Sequence, residues 1–98
     1  MAHELPIALE IGGLAFDQAS YDAGGDVLYL HIGAAQAAQG GSQTPEGHVL
    51  RYDAEGRVIG LTIINARFLV ERDDELVVTL PQRVQVAPDA LASALAAA

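Results

Sequence analysis

The chain has 98 residues, enough for one domain with a modest core and too few for two. Its thirteen acids stand against five arginines and no lysine, for a net charge of −8, so it has no basic surface to release counterions from a nucleic acid. Cysteine is absent, which excludes disulfides, thiolate metal sites and thiol nucleophiles.

The opening stretch MAHELPIALEIGG lacks a basic segment and carries Glu4 and Glu10, and the longest apolar runs fall well short of the roughly 20 residues of a membrane span. A cytoplasmic protein with no membrane partner is expected. Residues 7–11 read as a short strand closed by Gly12 and Gly13, which tolerate the positive φ of a tight turn. Residues 14–21 resume the extended pattern, which completes an N-terminal hairpin. Asp22 and the glycines after it mark the next turn. In the strand that follows, Leu28, Leu30 and Ile32 alternate with Val27, Tyr29 and His31.

Residues 33–47 have no apolar period and contain Pro45, so they read as a long surface loop that accommodates one short irregular strand. Residues 48–64 then repeat the earlier hairpin. Aligned without a gap, residues 21–32 and 52–63 share Tyr, Asp, Ala, Gly, Val, Leu and Ile, and every equivalent pair is 31 positions apart. Ile59, Leu61 and Ile63 thereby fall on the positions of Leu28, Leu30 and Ile32. Because a strand has period two, this shared phase turns both copies toward one core.

Residues 65–74 fit two readings. Asn65 would cap one or two helical turns, or the run would be a strand turning at Asp73 and Asp74; the helical reading is preferred. Residues 76–80 read as a strand ended by Pro81, and residues 84–86 as a last short one. Pro88 and Asp89 open an alanine-rich helix over residues 90–97, with Leu91 and Leu95 on one face. The fold class predicted is α+β: a small antiparallel β-meander of about five to seven strands built on two repeated hairpins (residues 14–65), with a C-terminal strand and helix over residues 76–97.

The combination of Tyr21-Asp22, Asp26 to Leu30, a glycine-containing loop, Val49 to Asp53, Gly56 to Gly60 and Ile63 with Asn65-Ala66 resembles the bacterial domain-of-unknown-function family numbered 2283, over about residues 14–67. That resemblance implies a small antiparallel β domain with no assigned chemistry and no site residues to carry over. Some members are encoded beside small toxin-like proteins, which implies an antitoxin-like or accessory role.

Candidate chemistry is sparse. Asp22, Asp26 and Asp53, with Glu55 nearby, lack the dense alternation of a calcium loop and suit turns. His31 and His48 are the weak metal candidates, since strands could bring them together, but a third ligand is missing from any readable spacing. Ser20, Ser42 and Ser93 have no nucleophile-elbow context, and the glycine-rich stretch around Ser42 lacks the lysine of a phosphate loop. No catalytic residue, no bound metal and no cofactor is therefore predicted. Tyr21 and Tyr52 suit cross-strand packing.

The leading reading is a non-enzymatic structural or interaction module that forms a homodimer, motivated by an apolar share of 51%. Its interface is placed on the second strand face, at Val27, Tyr29, His31, Val58 and Thr62. Two alternatives are an acidic partner for a basic protein and a small-molecule or metal-binding domain using His31, His48 and the loop 33–47. The copies differ where Tyr29 becomes Gly60, His31 becomes Thr62 and Asp26 becomes Arg57, so a specific site, if there is one, belongs on that asymmetric face or in the intervening loop.

Overall fold

The computed structural model describes residues 4–33, 38–73, 76–79, 83–86, 91 and 94–95. Among the described residues, eight strands and one helix have both ends defined: β1 (Glu4–Ile11), β2 (Leu14–Asp22), β3 (Val27–His31), β4 (Gly40–Gln43), β5 (Val49–Tyr52), β6 (Val58–Ile64), α1 (Ala66–Asp73), β7 (Leu76–Thr79) and β8 (Arg83–Val86). The first six form one antiparallel sheet in the order β1-β2-β3-β6-β5-β4, and β7 and β8 form a separate ribbon. Each half of the large sheet is a three-stranded meander, and the halves join through β3 and β6.

The duplication sets this arrangement. Leu30 of one copy pairs directly with its equivalent, Leu61, at the β3–β6 seam. A pseudo-two-fold axis therefore passes through that pair and relates β2–β3 to β5–β6. Three rungs obey it: Gln18 with His31 corresponds to Val49 with Thr62, Ala19 with Leu30 to Leu50 with Leu61, and Ser20 with Tyr29 to Arg51 with Gly60. The outer strands do not follow the symmetry, because β4 grows out of the loop between the copies.

The turns match the residues that form them. Gly12 and Gly13 have φ of 59° and 83° between the paired residues Ile11 and Leu14, as a two-residue hairpin turn requires. In the repeated hairpins the same aspartate anchors each turn: Asp22 accepts from the N–H groups of Gly24 and Gly25 at 3.1 and 3.3 Å, and Asp53 from those of Glu55 and Arg57, both at 2.9 Å. These side-chain bonds replace backbone partners that the turning chain leaves open.

One face of the sheet carries the core. Ala19, Tyr21, Leu28, Leu30, Leu50, Leu61 and Ile63 are buried there, and Leu9, Ile11 and Phe16 of the β1–β2 hairpin, Ala66 and Val70 of α1, Leu76, Val78 and Val86 of the ribbon, and Leu91 and Ala94 join the same cluster. Helix α1 resolves the two readings of residues 65–74 in favour of helix. Of the helix expected over residues 90–97, Leu91, Ala94 and Leu95 are described, all helical; the rest lies outside the described residues, as do Leu80 and Pro81. The short irregular strand expected in the loop is β4.

Asn65 does not act as the helix cap through its side chain. It adopts φ 57°, and the free N–H groups of Arg67 and Phe68 are taken by the Asp26 carboxylate at 2.8 and 3.0 Å, while Ala66 N–H donates to the Asp26 carbonyl at 3.0 Å. The cap thus comes from the other hairpin copy, which locks the start of α1 onto the β2–β3 turn.

Candidate interaction surface

On strands β3, β5 and β6, the opposite face of the large sheet carries no residue of the core cluster that α1, the ribbon and the described C-terminal residues join. Paired residues in a ladder point to the same side, so the registers assign its occupants. One row runs Gln18, His31, Gly60, Arg51; the next runs Ser20, Tyr29, Thr62, Val49; a third brings Val27 beside Ile64. Tyr29 and Ile64 are each 37% exposed. Val27, His31 and Val49 are half-buried, and Arg51 is exposed.

Arg51 lies over this face. Its Nε donates to Thr62 Oγ1 at 3.3 Å, and a Cβ built on Gly60 would meet Arg51 Cδ at 3.6 Å and the Leu30 carbonyl oxygen at 3.2 Å. Gly60 stands where the first copy has Tyr29. The small residue leaves the channel that the arginine stem occupies, and Thr62 is consequently only 5% exposed. The face is therefore asymmetric as expected, with tyrosine and histidine on one half and a flattened arginine on the other.

Four of the five residues assigned to an interface, Val27, Tyr29, His31 and Thr62, share this face. Val58 does not. The register of β5 against β6 shifts between Arg51 and Tyr52, which pairs Tyr52 with Val58 and leaves Ile59 as the extra residue. Val58 is thereby turned to the side of Tyr52, and both pack against the core cluster. Its equivalent, Val27, pairs with Asp22 without a shift and keeps its place on the open face.

The two histidines do not share a site. His31 is level with Gly60, and its Nδ1 lies 3.1 Å from the Gly33 carbonyl oxygen. His48 is fully buried and its Nδ1 accepts from Ile64 N–H at 3.2 Å. Gly60 and Ile64 are four residues apart on β6, a separation of about 13 Å along the strand. Among the described residues, no group of three histidine, cysteine, aspartate or glutamate side chains is placed to hold a metal ion.

His48 instead lines a cleft of about 260 Å³ with Glu46, Leu69, Arg72, Asp73, Leu76 and Val77. Burial pushes its imidazole below the ordinary value, against the opposing pull of Glu46 and the Val77 backbone. Since Nδ1 accepts a hydrogen bond, the neutral ring carries its proton on Nε2. Glu46 is tied to the ribbon: its carboxylate accepts from Thr79 N–H at 2.9 Å and from Thr79 Oγ1–H at 2.8 Å. Neither role is signalled in the sequence, because Glu46 and Thr79 are 33 residues apart and meet only through tertiary packing.

The acids at the turns are likewise occupied. Asp53 is bonded to Arg57 Nε at 2.9 Å in addition to its turn contacts. Asp26 accepts from Tyr21 Oη–H at 2.7 Å, and the Arg67 guanidinium sits 5.4 Å from the Tyr21 ring centroid. Burial and the Asp26 carboxylate push the Tyr21 phenol up from its ordinary value. Tyr52, its equivalent, meets Ser42 at 2.7 Å between the two hydroxyls.

The fold and its surfaces thus define a small antiparallel β domain made by hairpin duplication, with one sheet face packed and one open. A family model described as a protein of unknown function (DUF2283) matches residues 18–67, half of the chain, and the chain belongs to that family. No curated protein and no solved structure matches it. Among the described residues, no helix is long and apolar enough to cross a membrane.

Proposed function

We propose that the chain is a non-enzymatic interaction module whose open sheet face packs against the same face of a second copy. The observation that carries this reading is the pair of exposed apolar side chains, Tyr29 and Ile64, on the adjoining central strands β3 and β6 of the six-stranded sheet, on the face away from the core cluster. A single sheet face of this breadth without a second layer is the usual place for a subunit contact. The molecule measures 35 × 30 × 22 Å, and its thinnest dimension suits two layers about 10 Å apart with their side chains. Its broad side then offers at most roughly 1,000 Å², enough for the ~800 Å² per partner of a standard interface.

A non-enzymatic role accords with what the polar groups do: Asp22, Asp26, Asp53 and Glu46 are each engaged in a turn, a helix cap or a strand tie. Size-exclusion chromatography with light scattering tests the proposal. A dimer at micromolar concentration that Tyr29→Glu converts to monomer is the expected result. A strict monomer, or a dimer indifferent to Tyr29→Glu, overturns it.

A further inference from the structure

We propose that β4 is a self-pairing edge, which joins antiparallel to β4 of a second copy and extends the sheet from six strands to twelve. This contact is separate from the one made by the open face.

The two edges of the large sheet are not alike. A sheet edge presents unpaired N–H and C=O groups, and folded chains normally guard it with charge, proline or a bulge. β1 carries two such guards: Pro6, which has no N–H, and a register shift between Pro6 and Leu9. β4 carries none of them. Its residues are Gly40, Gly41, Ser42 and Gln43, all exposed and all uncharged, in a chain of net charge −8. Two copies this acidic repel one another over most of their surface, and the neutral strand is where their backbones approach without placing carboxylates opposite carboxylates.

The register is self-complementary. Thr44 N–H donates to the His48 carbonyl at 2.8 Å, which fixes the inward rungs of the β4–β5 ladder. Alternation then points the backbone groups of Gly40 and Ser42 toward β5 and those of Gly41 and Gln43 outward. Around a two-fold axis through Ser42, Gly41 of each copy lies opposite Gln43 of the second copy. Each such rung exchanges two N–H···O=C bonds, and every outward group of the strand finds a partner. Ser42 meets its own equivalent at the axis, and its hydroxyl is already held by Tyr52.

Symmetry also limits the assembly. Pairing β4 with β4 is isologous and consumes the unguarded edge of the large sheet in each chain, so growth through this edge stops at two. Pairing β4 with β1 would be head to tail and would propagate, and the guards on β1 oppose it. A four-residue contact is small, so the association falls in the weak, concentration-dependent class.

Sedimentation equilibrium from about 10 µM to about 1 mM, the range in which weak contacts populate, provides the test. Gln43→Pro removes an outward N–H and leaves the inward ladder to β5 intact, since proline is tolerated on the open side of an edge strand. The mass of the wild type rises with concentration, and at the highest concentration Gln43→Pro lowers it twofold. Gln43→Ser, which keeps the N–H, associates like the wild type. Ser42→Asp sets two carboxylates against each other at the axis and lowers association at low salt even if the proline variant folds poorly. The twofold loss persists in the Tyr29→Glu background, which separates the edge from the face. A wild type whose mass stays constant over the range, or Gln43→Pro and Ser42→Asp both associating like the wild type, overturns the proposal.

Discussion

Asp26 holds two hairpin copies and the helix in one place, and its removal is the most informative perturbation of the fold. In Asp26→Ala the N–H groups of Arg67 and Phe68 lose their cap, a change worth about 1–2 kcal/mol. The charge at the helix start contributes roughly 0.3–1 kcal/mol. Tyr21, 3% exposed, is left with a hydroxyl whose partner is gone, at about 1–3 kcal/mol. The left-handed φ of 55° adds about 1 kcal/mol for alanine. These terms share partners and do not add fully, so about 3–4 kcal/mol is expected.

Asparagine at the same position accepts the left-handed conformation and retains one oxygen, so Asp26→Asn loses about 1–1.5 kcal/mol. Urea unfolding followed by far-UV circular dichroism measures both, since the chain has no tryptophan to report by fluorescence. The pH dependence is a second readout. Burial alone would push the Asp26 carboxyl up, but the hydrogen bonds from Tyr21, Arg67 and Phe68 and the Arg67 charge outweigh it and hold the group below 3.8. A depressed folded value stabilises fully above the unfolded one and is lost as pH falls through the folded one. Asp26→Asn therefore shows a shallower loss of stability than the wild type below about pH 4. An Asp26→Ala protein within about 0.5 kcal/mol of the wild type would refute the cap.

The two equivalent tyrosines should separate in the same assay. Tyr21→Phe loses a bond to a carboxylate inside the fold and costs about 1.5 kcal/mol, whereas Tyr52→Phe loses only an exposed contact to Ser42 and costs less than about 0.5 kcal/mol. His48→Gln, whose amide oxygen replaces Nδ1 as acceptor for Ile64 N–H, costs about 1–2 kcal/mol at neutral pH. Because the folded imidazole lies below 6.5, its stabilisation is complete above that value and is lost as pH falls through the folded value, so the wild type loses more stability than His48→Gln on acidification from pH 6.5. Equal pH profiles would count against a neutral buried ring. Gly56→Ala, at φ 80°, should destabilise by about 1 kcal/mol; a stabilised protein would show that the turn relaxes freely.

The duplicated hairpins, their turns and their shared apolar phase were legible because each depends on neighbours in sequence. Asp22 and Asp53 bond to N–H groups two to four residues away, and Leu28, Leu30, Leu61 and Ile63 report a strand period. β4 was harder to see as regular structure, since Gly-Gly-Ser-Gln has little strand preference and is extended by its ladder to β5. The sequence pattern puts Val58 on the open face for a related reason. Its local pattern is the same as that of Val27, and only the register shift against Tyr52 turns it inward.

Periodicity and turn chemistry are short-range, so the sequence alone determined the repeated hairpin, the α+β class and the face opposite the leucines. Tertiary structure decided which strands meet, and with it the pseudo-two-fold seam at Leu30 and Leu61, the capping of α1 by Asp26, the burial of His48 and the unguarded edge at β4. Each of these joins groups that are distant in the chain, and the free energy that selects them, from packed side chains and satisfied backbone groups, exists only once the layers are assembled.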